Sequence, residues 1–358
     1  MKIDLIAGTR PNFVKIASIV NAFAILRNNI EYRLIHTGQH YTDALSGSFF
    51  KDLNLPDPHI NLNAGSGSQA EQTAAIMISY EKILKETKPD LCLVVGDVNS
   101  SMACAITAKK MQIKVAHVEA GLRSGDWNMP EEVNRVLIDS ISDYLFVTTE
   151  EAKEQLFKEG NKSERVFFVG NTMIDTLLRF KSKFRKPQIW DQLNLQKNKY
   201  LILTLHRPAN VDEISKLHES LTEILKHSRE IPVIFPIHPR TNKTLEALDL
   251  HFENLYPISP LGYLEFNYLV QYAKAVLTDS GGITEETTVL GIPCLTLRDN
   301  TERSETILLG TNELIGTDPN NIAPALDKLF KGNWKKGSIP DKWDGKSGER
   351  IVKLLQAL

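Results

Sequence analysis

The sequence predicts an α/β protein of two doubly wound, Rossmann-like domains with a ligand-binding cleft between them. Three observations carry this expectation. The 358 residues are enough for two domains of ordinary size, each burying its own core. Short β-rich runs alternate with longer helical patterns from one end of the chain to the other, as in parallel sheets wrapped by helices. The alternation breaks once, after Asp175, in the charged, aperiodic, proline-containing stretch RFKSKFRKPQIWDQLNLQKNKY.

Taken in order, the first domain covers residues 1–178, with strands over residues 2–7, 31–36, 91–95, 115–118, 144–147 and 166–169. Amphipathic helices fill the intervals. Residues 179–198 read as the linker, and the second domain, 199–344, repeats the pattern with strands over residues 200–205, 232–237, 255–258, 275–278 and 294–297. Residues 345–358 contain an amphipathic helix expected to pack back on the first domain.

With 42 basic against 44 acidic residues, the chain lacks the broad field expected of a nucleic-acid or membrane-surface binder. The apolar run in MKIDLIAGTRP has strand length rather than the length of a signal segment, so a cytoplasmic location is the expectation. Cys92, Cys104 and Cys294 have no paired spacing, and HExxH is missing, so core packing is expected in place of disulfides or zinc.

In doubly wound folds ligands bind beyond the carboxyl ends of the strands, which directs attention to strand-end residues. The stretch LTDSGGITEETTVLGIPCLTLRDNTERSE is the richest: Ser280, Gly281 and Gly282 turn from a strand into a helix expected to start near Ile283. Such a turn offers N–H groups and the positive helix end to a diphosphate or carboxylate, or it is a purely structural turn. Glu285 and Glu286, one turn in, suit hydroxyl groups such as those of a ribose. Arg303 pairs with a carboxylate or reaches an anion.

Elsewhere, Arg10 and Lys15 follow the first strand without Walker or dinucleotide spacing, either as anion ligands or as solvated helix-start charges. Asp97 follows Gly96 at a strand terminus, as a site acid or a helix cap. Glu119 closes an otherwise apolar strand, where burial is costly without a partner, and Arg123 is the nearest candidate. Glu131 and Glu132 open a helix behind Pro130. His206 and His238 each follow a strand of the second domain, structurally or as cleft residues.

In series, GTRP with Lys15, GQH at residues 38–40, GDVNS, HVEAGLR, PEEVNR, GNTMIDTL, HRPAN, TDSGG and TERSE resemble the non-hydrolysing UDP-N-acetylglucosamine 2-epimerase family over almost the whole chain. The resemblance implies a glycosyltransferase-B-like pair of domains, a UDP-sugar in the cleft, a homodimer, and no cofactor or metal, while the charge balance gives no nucleic-acid or membrane partner. It implies that Arg10, Lys15, Ser280, Gly281, Gly282, Glu286 and Arg303 hold UDP, and that Phe266 lies beside the uracil. Asp97, Glu119, Glu131 and His206 match the positions tied to catalysis and sugar contact. The implied chemistry is loss of UDP across C1 and C2 to a 2-acetamidoglucal, followed by re-addition.

Departures bear on substrate and regulation. Pro208 replaces a polar residue common in the family, and Leu261 replaces a glutamine often found near the uracil. Gln39 and His40 match a region where substrate activates some members, but Thr42 and Ser66 replace longer polar side chains, so such activation is not expected. Relatives acting on UDP-2-acetamido-6-deoxyhexoses or diacetamido uronates share these motifs. A glycosyltransferase of the same fold and a non-catalytic UDP-sugar sensor are the readings from other classes.

Overall fold

The computed structural model describes residues 1–26, 29–38, 50–211, 213–237 and 253–358. Two compact units divide it: residues 1–179 together with 341–358, and residues 180–340.

The first unit is built on seven parallel strands: β1 (Lys2–Ala7), β2 (Glu31–His36), β3 (Ile60–Asn61), β4 (Leu91–Val95), β5 (Lys114–Ala120), β6 (Tyr144–Val147) and β7 (Val166–Phe168). Their order is β3-β2-β1-β4-β5-β6-β7, so the winding reverses between β1 and β4. That reversal opens the crevice in which such sheets bind ligands. The strands are near-continuous apolar runs because both faces are covered; every residue of β4 is buried. Ile6, Ile35, Val94 and Val115 pack with Tyr80, Cys92 and Cys104 in one core cluster.

Six parallel strands form the second unit: β8 (Leu201–Thr204), β9 (Val233–Pro236), β10 (Leu255–Ile258), β11 (Ala275–Thr278), β12 (Cys294–Thr296) and β13 (Asn312–Leu314), ordered β10-β9-β8-β11-β12-β13. Alternate side chains serve opposite faces, as the pleat requires. Leu201, Leu203 and Leu277 enter one cluster, while Ile202 and Val276 enter the other. The three cysteines are buried and unbridged, and burial pushes their thiols up, which suits core packing.

Several details differ from the sequence reading. β3 and β13, of two and three residues, carry Asn61 and Asn312 and show no strand pattern of their own. They exist through pairing with β2 and β12. β5 runs to Ala120 with an irregularity between Val118 and Ala120, and the helix after β11 begins at Gly281 rather than Ile283. From Phe180 onward the charged stretch belongs to the second unit, and Trp190 packs edge-on against Tyr200, Tyr268 and Tyr272.

The C-terminal segment packs on the first unit through buried polar contacts. Asp175 accepts hydrogen bonds from Ser18 Oγ at 2.6 Å and from the Gly348 N–H at 2.7 Å. Gly348 is where the helix Ser347–Ala357 meets the helix Arg10–Ile25, and an added Cβ would lie 2.4 Å from Ser18 Oγ and 2.6 Å from its carbonyl oxygen. Gly348→Ala is therefore expected to destabilise the protein by about 1–3 kcal/mol through overpacking. Urea unfolding measures it, and wild-type stability would contradict this packing.

Candidate active site

In the first unit, charged side chains converge at the carboxyl ends of β1, β4 and β5. The helix Arg10–Ile25 leaves β1 with Arg10 exposed at its start and Lys15 buried one turn later. Asn12 stitches this turn to the neighbouring strand. Its Oδ1 accepts the Thr9 N–H at 3.0 Å, and its Nδ2 donates to the Val95 carbonyl at 2.9 Å.

Lys15 Nζ donates to Glu119 Oε2 at 2.5 Å, and both side chains are buried. Glu119 stands at the β5 irregularity with φ 74°, a left-handed conformation costing a non-glycine residue about 1–3 kcal/mol. Gly96, with φ 66°, turns beneath the pair; a Cβ there would come within 3.3 Å of Lys15 Nζ and 3.4 Å of Glu119 Oε2. The left-handed backbone there favours glycine, and a Cβ would crowd the Lys15 ammonium. The partnership of Arg123 with Glu119 expected from sequence is corrected: Arg123 binds Asp139 at 2.7 Å and Glu159 at 2.6 Å. Sheet order, not sequence proximity, selects Lys15.

Asp97 does not cap the following helix, whose N-cap is Val98 without a side-chain bond. Its Oδ2 instead receives Arg135 Nη2 at 2.5 Å, and its carbonyl receives Asn134 Nδ2 at 2.8 Å. Arg135 also binds Glu132. Burial opposes ionisation of Glu132, but the N–H groups of Ser124 and Gly125, together with Arg135, hold its carboxyl below the usual range. Of the two adjacent acids, Glu132 fixes the preceding loop while Glu131 stays exposed in the first helical turn. Asn12, Asn134 and Arg135 were not singled out from sequence, although NR closes the PEEVNR motif.

In the second unit the HRPAN and TDSGG segments meet because β8 and β11 are neighbours. Asp279, fully buried, accepts His206 Nδ1 at 2.6 Å, the Arg207 N–H at 2.9 Å and Asn210 Nδ2 at 2.9 Å. Burial alone would raise the Asp279 carboxyl; His206 and these donors bring it below the usual range. The His206 side chain is 62% exposed, so its Nδ1 is committed to Asp279 and its Nε2 remains for a ligand.

Ser280 N-caps the helix Gly281–Leu290 without a side-chain cap bond, and a Cβ on Gly281 would fall 2.9 Å from Glu302 Oε1. That helix end has the polarity an anion needs. Arg303 pairs with buried Glu285 at 3.1 Å, so its carboxylate-pairing role is realised. Glu286 Oε1 accepts from Tyr263 at 2.8 Å and Asn267 at 3.4 Å. Phe266 is half-buried against the cluster that contains Tyr200 and Ile202. His238, Gln39, His40 and Thr42 lie outside the described residues. Among the described residues no group of three His, Cys, Asp or Glu side chains is arranged to hold a metal ion.

A family model described as UDP-N-acetylglucosamine 2-epimerase matches residues 24–356. The chain is 45% identical to the UDP-N-acetylglucosamine 2-epimerase of Methanocaldococcus jannaschii, over 99% of each sequence. It is 38% identical, over the full length of both, to the UDP-2,3-diacetamido-2,3-dideoxy-D-glucuronate 2-epimerase of Pseudomonas aeruginosa. A crystal structure of the Methanocaldococcus jannaschii enzyme in complex with UDP-GlcNAc and UDP superposes with a TM-score of 0.90 at 44% identity, covering 100% of both chains.

Burial pushes the Glu286 carboxyl up from 4.5 to about 7, against the opposing bonds from Tyr263 and Asn267. A raised carboxyl stabilises the fold fully below its unfolded value, and that contribution is lost as pH rises through the folded value. Relative to Glu286→Gln, wild-type stability is therefore expected to fall between pH 4.5 and about 7, by on the order of 3 kcal/mol. Urea titrations across this window report it; a pH-independent difference would contradict a buried neutral acid.

Proposed function

Since this chain belongs to the UDP-N-acetylglucosamine 2-epimerase family, we propose that it interconverts UDP-N-acetylglucosamine and UDP-N-acetylmannosamine by eliminating and re-adding UDP. The observation that carries the reading is the buried Lys15–Glu119 pair, held near a left-handed strand end, with Asp97 two residues beyond the end of the adjoining strand β4. A carboxylate kept there at such conformational cost is suited to proton transfer.

The step balances without an oxidant. A base takes the C2 proton, the C2–H electrons form the C1=C2 bond of the 2-acetamidoglucal, and the C1–O pair departs on the β-phosphate of UDP. A proton then reaches C2 on the opposite face, and a UDP oxygen re-forms the bond to C1. Asp97, Glu119 and Glu131 share the proton transfers. His206, oriented by Asp279, neutralises the diphosphate or relays a proton. The Ser280 side chain and the N–H groups at Gly281 and Gly282, with Arg10, Lys15 and Arg303, hold the diphosphate; Glu286 takes the ribose and Phe266 lies beside the uracil.

The same reading makes the protein a cytoplasmic homodimer that supplies a precursor for cell-surface polysaccharide. Among the described residues no helix is long and apolar enough to cross a membrane.

Incubation with UDP-N-acetylglucosamine in deuterated water is expected to give UDP-N-acetylmannosamine and deuterium at C2 in both sugars. Exchange confined to a 6-deoxy or diacetamido-uronate nucleotide would reassign the substrate, and exchange with no UDP-sugar would overturn the reading. Glu119→Gln is expected to cut exchange by at least about 100-fold, within the range for loss of general acid–base catalysis. UDP binding should be largely retained, and wild-type exchange in this variant would remove Glu119 from proton transfer.

A further inference from the structure

Three successive carbonyls at the end of β4 are each held by buried side chains from other elements. Val95 O accepts from Asn12 Nδ2 at 2.9 Å and from Ser101 Oγ at 2.8 Å, and Asp97 O accepts from Asn134 Nδ2 at 2.8 Å. Between them, Gly96 O faces His117 Nε2 at 3.2 Å. His117 sits in β5, two residues before Glu119, and is 1% exposed. Its other nitrogen, Nδ1, lies 2.6 Å from Asp139 Oδ1.

A carbonyl oxygen only accepts, and so does an ionised carboxylate. Burial opposes the charge of Asp139, but His117, Arg123 and the Gly121 N–H hold its carboxyl below the usual range. Both ring nitrogens of His117 therefore face acceptors. Arg123 shares Asp139 with His117, while Lys15 and Glu119 occupy the far side of Gly96. Sequence reading passed over His117 because a histidine inside an apolar strand carries no spacing signal.

We propose that His117 is a positioning residue for Asp97: with one ring nitrogen on the Gly96 carbonyl and the other on Asp139, it ties the Gly96 turn to the helix Pro130–Ile141 and thereby fixes where the Asp97 carboxylate stands. The proposal rests on the epimerase reading only for what Asp97 does. The Gly96 turn is left-handed and glycine is the least constrained residue, so without this tie the turn widens its range and Asp97 loses its register with Arg135.

Two measurements test it. Nitrogen-15 spectra of histidine-labelled wild-type protein, with His117 assigned by its absence from His117→Gln, are expected to show a ring N–H that exchanges slowly with solvent; rapid exchange would overturn the tie. His117→Gln is expected to lower kcat for C2 exchange roughly 10- to 100-fold, as for a small misplacement of a reacting group, with KM and UDP affinity near wild type. An unchanged kcat, or UDP affinity falling in step with kcat, would overturn the positioning role. If wild-type protein exchanges no UDP-sugar, the epimerase reading fails, and the His117 N–H exchange still decides the tie.

Discussion

The contact between Lys15 and Glu119 sets the terms for the first unit. Two charges are taken out of water, and their attraction does little more than offset desolvation. Breaking the pair from one side would strand a buried charge, so each partner constrains the other. Its surroundings fit the pair: Gly96 leaves room beside Lys15, Asn12 holds the β1 turn against β4, and the β5 backbone enters the left-handed region at Glu119. None of this is favourable by itself. It is sustained because β1, β4 and β5 are consecutive in the sheet, bringing three distant segments to one spot.

The second unit solves a related problem with different groups. Asp279 is buried at the end of β11, but its compensation comes from N–H donors and one imidazole rather than from a lysine. The charge stays inside while the histidine remains accessible, which gives that histidine a fixed ring orientation. Arg303 and Glu285 form a further buried pair, with Glu285 on the helix that opens at Gly281. A reaction in which UDP leaves and returns needs donors that do not rearrange as charge develops on the diphosphate.

Much of the scaffold was legible in the sequence because parallel strands covered on both faces are nearly uninterrupted apolar runs. Residues 2–7, 31–36, 91–95, 144–147, 255–258 and 275–278 form strands with the expected bounds. β3 and β13 were hidden because strands of two or three residues with polar side chains are defined by their neighbours. The ends of β5 were hidden by Lys114 and Glu119, whose polarity mimics a loop. Candidate acids could be found from their strand-end positions, but their partners could not. Arg123 is close to Glu119 in sequence yet is drawn to Asp139 and Glu159, while Lys15 arrives from a helix more than one hundred residues earlier. Likewise the adjacent Glu131 and Glu132 look alike until the loop at Ser124 and Gly125 claims one of them.

The central claim is that UDP separates from the sugar and then returns, and positional isotope exchange tests it most directly. Oxygen-18 is placed in the bridge between C1 of UDP-N-acetylglucosamine and the β-phosphorus, and the nucleotide sugar is recovered after partial turnover. Elimination frees the β-phosphate to rotate before re-addition, so the label should appear in nonbridging β-phosphate positions of recovered substrate. Deuterium entering C2 while all of the oxygen-18 stays in the bridge would contradict cleavage of the C1–O bond.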